Sequence, residues 1–356
     1  MLYYLGAYLQ HFFGPARLLQ SYTVLITLAL YIGFLLAVKL LPCFYERLPH
    51  DRGREFTLTA EAAKGKPTGS GVVFITIFVI ITVLITPLSL LQGGTLVLTW
   101  LMMLTGYLDD RSVTGWGEYR KGFLDLVISA AEAALLYYCL TRTSPDGRIY
   151  FWLPFISHTV AVNPVVYFIV CIILLWASIN TTNCTDGVDG LSGTLVLLAL
   201  ITMGSIFYFI LGHKDISAYL LVPHLATGAN WAVMSFALAG VLMGYLWHNA
   251  YPSKVLMGDA GSRALGFFIG TAVMVSGNPF LILATSTIIF INGGMGLLKV
   301  ALLRFCHIRI FENIRFQLHD EMRKNHGWSP TQVLIKFMIM QILITMALIG
   351  LFFKVR

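Results

Sequence analysis

Residues 249–262 read Asn-Ala-Tyr-Pro-Ser-Lys-Val-Leu-Met-Gly-Asp-Ala-Gly-Ser. This polar, glycine-rich stretch lies between two apolar runs, Trp231–His248 and Ala264–Ser276, and carries one acid, Asp259, flanked by Gly258 and Gly261. An ionisable side chain between two candidate membrane helices is costly to place and marks a functional position. Two more acidic stretches, Asp109-Asp110 and Asp186/Asp189, occupy the same kind of junction. The pattern predicts an all-α polytopic membrane protein, one domain over residues 1–356, whose polar junctions carry the chemistry.

Composition agrees. Hydrophobic residues make up 57% of the chain and charged residues 12%, with a mean hydropathy of +0.78. A soluble domain carries about 25% charged residues. The net charge of +7 does not point to nucleic acid, because the basic residues are scattered over short loops between apolar runs, as membrane topology requires. The cysteines have no CxxC or metal-ligand spacing and read as mostly buried thiols. Residues 1–20 lack a small-residue cleavage site, so no cleaved signal peptide is expected.

Ten apolar runs are legible, at 21–42, 72–91, 95–108, 123–140, 164–180, 189–211, 231–248, 264–276, 280–304 and 332–353. Gln92-Gly93-Gly94 is expected to form a tight hairpin, and Pro87 to kink or loosen the end of the second run. The odd connections (43–71, 109–122, 181–188, 249–263 and 305–331) hold about fourteen Lys/Arg, against about six in the even ones and the termini. The positive-inside rule places the odd loops in the cytoplasm and both termini outside. All five acids, Asp109, Asp110, Asp186, Asp189 and Asp259, then fall on the cytoplasmic side, although only Lys and Arg set the topology. Ile308, Phe311, Ile314 and Leu318 recur at helical spacing, which favours an amphipathic helix on the inner membrane surface over a solvated loop.

Each polar stretch admits a plain reading beside a chemical one. Asp109 and Asp110 end a helix, where they either solvate or hold a cation that lets both ionise. Asp186 and Asp189 are three residues apart and share a face if a helix has begun, as caps or as ligands. Asn180 and Asn183 add neutral hydrogen-bonding groups. Asp259 is an N-cap or a metal ligand, and its Gly-rich turn leads into a helix N-terminus that favours phosphate. Lys64-Gly65-Lys66-Pro67-Thr68-Gly69-Ser70-Gly71 is a flexible basic linker or an anion-wrapping loop, and it lacks the Walker A pattern. His319 and His326 bracket Asp320 and Glu321 as surface residues or site residues. The hard-oxygen character of the acids points to Mg²⁺, or Mn²⁺, rather than Zn²⁺.

At these residues the chain resembles the polyprenyl-phosphate N-acetylhexosamine-1-phosphate transferases over nearly its whole length. KGKPTGSG, GYLDD, NCTDGVDGLSG, NAYPSKVLMGDAGS and HGW stand in the family's order. MGDxGS together with TDGxDG is highly specific. NxYP ahead of MGD, and the HGW ending, favour the branch that uses MurNAc-pentapeptide in peptidoglycan synthesis.

The resemblance implies ten transmembrane helices, a homodimer in a bacterial plasma membrane, and a cytoplasmic-facing cleft. It implies transfer of phospho-MurNAc-pentapeptide from UDP-MurNAc-pentapeptide to undecaprenyl phosphate, giving lipid I and UMP with Mg²⁺. Matched by motif, Asp109 and Asp110 are the paired aspartates of acid/base or nucleophilic work, and Asp259 is the magnesium ligand; our own assignment adds Asp110 or Asp186 as its helper. Asp109 takes the lipid phosphate's proton, if that phosphate is singly ionised. Asp186 and Asp189 belong to the nucleotide and catalytic region, with Asn183 beside them. Asn249 is a uridine-side residue, and Lys64 lies near the diphosphate. One-step and two-step routes both remain open.

Three departures stand out. Val113 replaces the lysine of DDxxK, so Lys121 or Arg120 is expected to supply that charge. Leu256 takes the place of an aromatic that stacks on uracil in relatives, so the base is expected to pack on aliphatic surface. Of the family's three histidines only His319 remains, in His319-Asp320-Glu321. The alternatives are UDP-GlcNAc as donor and, more remotely, a cation-coupled transporter, whose relay acids would sit mid-helix.

Overall fold

The computed structural model describes residues 1–53 and 64–354. In chain order the helices are α1 (Leu2–Leu9), α2 (Tyr22–Leu40), α3 (Gly71–Ile85), α4 (Leu90–Arg111) and α5 (Glu118–Thr143). A short antiparallel hairpin follows, β1 (Ile149–Phe151) on β2 (Val160–Val162), with Tyr150 opposite Ala161. Then come α6 (Pro164–Thr185), α7 (Leu191–Ser205), α8 (Lys214–Tyr219), α9 (Gly228–Asn249) and α10 (Gly258–Val275). The chain closes with α11 (Leu281–Ile289), α12 (Met295–Ala301), α13 (Leu318–Lys324) and α14 (Pro330–Lys354). Wider π turns continue α7 through Leu211 and join α11 to α12.

Every apolar run read from the sequence becomes a helix or a string of helical segments. Among the described residues, 8 helical spans are long and apolar enough to cross a membrane, and Gly71–Ile85 is a shorter apolar helix. The remaining run is α10, the centre of the bundle. Every residue from Asp259 to Val275 is buried. Small residues let its neighbours approach: a Cβ on Gly266 would strike the backbone of Ser178 in α6, and one on Gly106 would strike Asp259. The Ser178 hydroxyl donates to Gly266 O at 2.7 Å, fixing α6 against α10.

The connections sort to two ends. At one end the Trp152 N–H donates to Gly277 O at 3.0 Å and its indole N–H to Ser276 O at 2.7 Å. Asn230 Nδ2 there donates to Pro87 O at 2.8 Å, linking two even connections. The described parts of the five odd connections meet at the opposite end, through the contacts described below.

Three local expectations are corrected. The turn between α3 and α4 is not at Gln92-Gly93-Gly94. Helix α3 stops at Ile85, Thr86 is extended ahead of Pro87, and Ser89 caps α4 in a reciprocal pair with Gln92. Gln92 therefore lies in the first helical turn. The amphipathic helix over 308–318 does not form either. His307 and Phe311 take positive φ, 55° and 49°, and the helix begins only at Leu318. Asp186 and Asp189 do not share a helical face: α6 ends at Thr185, Gly190 adopts φ 77°, and α7 starts at Leu191.

Candidate active site

The site is built where the C-terminus of α4 meets the N-terminus of α10. A helix C-terminus repels carboxylates, yet α4 ends on two of them. The partner helix explains one. Asp110 Oδ1 accepts the N–H of Asp259 and Oδ2 the N–H of Ala260, each at 3.0 Å. It therefore satisfies two of the N–H groups that the first turn of α10 leaves without intrahelical partners. Gly258, at φ 67°, makes the entry possible, since a Cβ there would collide with the Asp110 carboxylate. Asp110 thus docks α10 with both its oxygens.

Asp109 faces the other way and is buried. Its Oδ1 accepts the N–H of Trp116, and its Oδ2 contacts Lys121 Nζ. The same ammonium lies 2.9 Å from Asp259 Oδ2. Asp259 is 4% exposed, whereas the Lys121 side chain remains 31% exposed. One half-exposed lysine therefore bridges two buried carboxylates. Of the two cations expected to replace the lysine missing at Val113, Lys121 is the one held by the acids. Arg120 stacks on the Trp116 ring, 3.8 Å from its centroid.

The loop before α3 is pinned to the 249–258 stretch. Leu256 N–H donates to Pro67 O at 2.8 Å, and the Ser70 hydroxyl donates to Leu256 O at 2.9 Å. Leu256 is half-buried in this backbone splice. Lys64 is exposed, and Lys66 is the lysine that reaches inward. Its Nζ donates to Ser253 Oγ at 3.0 Å and lies 3.9 Å from Asp189 Oδ2.

Asp189 accepts the Ser253 N–H at 3.0 Å and the Ser253 hydroxyl at 2.8 Å. Asn249 is buried and used at both ends: Oδ1 accepts the Gly190 N–H and Nδ2 donates to Val255 O, both at 2.8 Å. These bonds lock the acidic turn 186–190 to the loop leading to Asp259. Asp186 and Asn183 are half-buried in that turn and at the end of α6.

His319 closes this side. It is buried, and its backbone N–H and Nδ1 both meet Asn292 Oδ1, at 2.9 and 3.1 Å. An amide oxygen only accepts, so Nδ1 carries the proton and Nε2 faces Gly187 with its lone pair. Burial, with Arg323 nearby, pushes the imidazole down to about 3, so the ring is neutral. His326 is exposed.

The sequence reading named Lys66 only as part of its basic loop, and it missed Trp116 and a buried ion pair between Asp125 and Arg263 one helical turn deeper. Asp125 carried a readable signal, an acid inside the apolar run 123–140. Among the described residues, no three His, Cys, Asp or Glu side chains form a group able to hold a metal by themselves.

Residues 93–277 match the family described as Glycosyl transferase family 4. The chain is similar to the phospho-N-acetylmuramoyl-pentapeptide-transferase of Treponema pallidum strain Nichols, with 56% identity covering 98% of this chain and 95% of the relative. It is 28% identical to the Campylobacter hominis protein of the same name, over 96% of this chain and 97% of that one. The Wolinella succinogenes protein, again so named, is 29% identical over the same shares. With the motif residues gathered at one end of the bundle, this similarity over almost the full length means that the chain belongs to the phospho-N-acetylmuramoyl-pentapeptide transferase family.

Proposed function

We propose that this membrane-embedded transferase moves phospho-MurNAc-pentapeptide from UDP-MurNAc-pentapeptide to undecaprenyl phosphate. One observation carries the site assignment: Lys121 bridges Asp109 and Asp259 at the helix junction. In the reaction, an oxygen of the lipid phosphate attacks the sugar-side phosphorus of the diphosphate. The bond to the UMP phosphate breaks, UMP leaves, and the new diphosphate links lipid to sugar.

Both reactants are anions, so their mutual repulsion makes up much of the barrier. Asp109, Asp110 and Asp259 against Lys121 leave the junction negative, which favours a divalent cation there. Mg²⁺ is commonly held by one or two carboxylates plus substrate phosphates, not by a full protein cage. Asp259 and Asp109 fit that donor set, since each turns an oxygen to the partly exposed Lys121 ammonium, which a cation can displace, whereas Asp110 spends both oxygens on the backbone N–H groups of α10. Bound there, Mg²⁺ or Mn²⁺ would neutralise charge on the diphosphate and polarise its phosphoryl oxygens. Lys121 then moves its charge from the carboxylates to a phosphate, and Lys66 offers a second cation beside Asp189. Asp109 takes the proton of a singly ionised lipid phosphate; near neutral pH most of that phosphate is already dianionic.

The names of the relatives support the MurNAc-pentapeptide donor over UDP-GlcNAc. The distribution of Lys and Arg supports a cytoplasmic site with both termini outside. The family resemblance supports a homodimer in a bacterial plasma membrane. Asp109, Asp110 and Asp259 lie at helix ends, unlike the mid-helix relay expected of a transporter.

The test is UMP release by the purified chain given undecaprenyl phosphate and either UDP-sugar, with and without excess chelator. Faster transfer from UDP-GlcNAc would overturn the donor assignment. Undiminished transfer in chelator would remove the metal.

A further inference from the structure

Below the Lys121–Asp259 contact lies a second rung. Arg263 Nη2 pairs with Asp125 Oδ1, and the two side chains are 2% and 1% exposed. Lys121 and Asp125 are four residues apart on α5, as are Asp259 and Arg263 on α10. Both helices start at the site and run the same way into the bundle. A four-residue step keeps each pair on one helix face and separates the rungs by about 6 Å. The signs are crossed: α5 presents plus then minus, and α10 minus then plus. Asn180 of α6 steadies the lower rung, donating to Asp125 Oδ2 at 3.3 Å and to Trp176 O at 2.9 Å. Among the described residues, Arg263 Nε and Nη1 have no hydrogen-bond partner, so the guanidinium rests on Asp125.

A dry ion pair is a poor way to add stability, since well-packed apolar side chains of similar volume serve as well or better. A single apolar pair at this position would fix the axial height of the two helices less sharply, because it has no direction. A charge-assisted hydrogen bond has one. We propose that Asp125 and Arg263 are positioning residues, whose contact sets the height of α5 against α10 and so holds Lys121 Nζ between Asp109 and Asp259. The upper rung exchanges partners when substrate enters, and the lower rung keeps α5 in place while it does. The kinetic arm of the test rests on the transferase reading above; the labelling arm does not.

The experiment uses the full chain in detergent. Asp125→Leu combined with Arg263→Leu removes both charges, while Arg263→Lys and Asp125→Glu keep them and alter the reach. The double variant should keep its melting temperature and the KM for the UDP-sugar, with kcat lowered about 30-fold or more, as a displacement of about 1 Å allows. Arg263→Lys, which keeps the charge at an altered reach, should give a kcat between those of the double variant and the wild type. Asp125→Glu, which keeps the pair but lengthens one arm, should lower kcat about tenfold without loss of melting temperature, and it decides the matter if the double variant does not fold. Acylation of Lys121 by an amine-reactive reagent, read by mass spectrometry without substrate, should rise in the double variant. A folded double variant, or a folded Asp125→Glu variant, with wild-type kcat and wild-type labelling of Lys121 overturns the proposal. If the wild-type chain transfers nothing but the labelling still rises, the positioning role stands and the transferase reading falls.

Discussion

Lys121 Nζ stands 2.9 Å from Asp259 Oδ2 and also contacts Asp109 Oδ2, so a single ammonium joins the end of α4 to the start of α10. A lysine can do this and still move, because its charge is compact and its stem flexible. The same contact ties the neighbouring helices α4 and α5 to α10, which lies 138 residues further along the chain from Lys121.

Replacing Lys121 by Met leaves the two carboxylates facing each other and strips the site of its cation. Transfer should fall about 10²- to 10³-fold, the usual loss when a group that stabilises transition-state charge is removed. UMP release at saturating substrate measures it, and a rate near wild type would remove Lys121 from the mechanism.

The two adjacent aspartates should separate by assay. Asp110→Ala removes the acceptor of two N–H bonds at the start of α10 and should cost about 1–2 kcal/mol of stability. Asp109→Asn should leave the melting temperature nearly unchanged and abolish most transfer. Thermal unfolding beside activity tells them apart; equal melting temperatures for Asp110→Ala and wild type would contradict the docking role.

Gly71 abuts α10 so closely that a Cβ would collide with the backbone of Gly261, whereas Gly122 has nothing within 4 Å. Gly71→Ala should therefore destabilise by about 1–3 kcal/mol or more. Gly122→Ala should be neutral or stabilising, because alanine costs less backbone entropy in a helix. Paired melting curves of the two variants check this.

Stability should depend on pH through His319. Its folded value of about 3 lies below the ordinary 6.5, so below pH 6.5 the unfolded chain gains a proton that the native ring refuses. The contribution is whole above pH 6.5 and is lost as pH falls toward 3, by up to about 1.4 kcal/mol per pH unit. Unfolding of wild type and His319→Gln at pH 7.5, 6.5 and 5.5 isolates it, and parallel curves would refute it.

Chelation should stop transfer and added Mg²⁺ should restore it. Asp259→Asn, which removes one ligand charge, should raise the Mg²⁺ needed for half-maximal rate about tenfold or more. An unchanged requirement would move the metal elsewhere.

Much of the fold was legible because burial in a membrane writes itself as long apolar runs, and all ten became helical. The gathering of the odd connections at one end was legible from Lys and Arg. What the local sequence does not carry are details decided by partners outside it. Asp110 reads as a ligand beside Asp109 until the N-terminus of α10 is seen against it. Lys64 and Lys66 are interchangeable in a flexible loop, and only the splice at Pro67 and Leu256 brings Lys66 to Asp189. The helix expected at 308–318 had the right periodicity, but positive φ at His307 and Phe311 breaks the segment first. Arg263 sits next to a polar motif and looks like part of its loop, although it is almost wholly buried.

Helix α10 has its own consequence for how the protein is made. A segment bearing a carboxylate and a guanidinium gains little from entering lipid alone. Its surface is instead covered by neighbours such as α3, α4, α6 and α7, which are translated before it. During biogenesis it therefore depends on them as a ready-made berth, and a fault in any of those earlier segments should show first as failure of α10 to integrate.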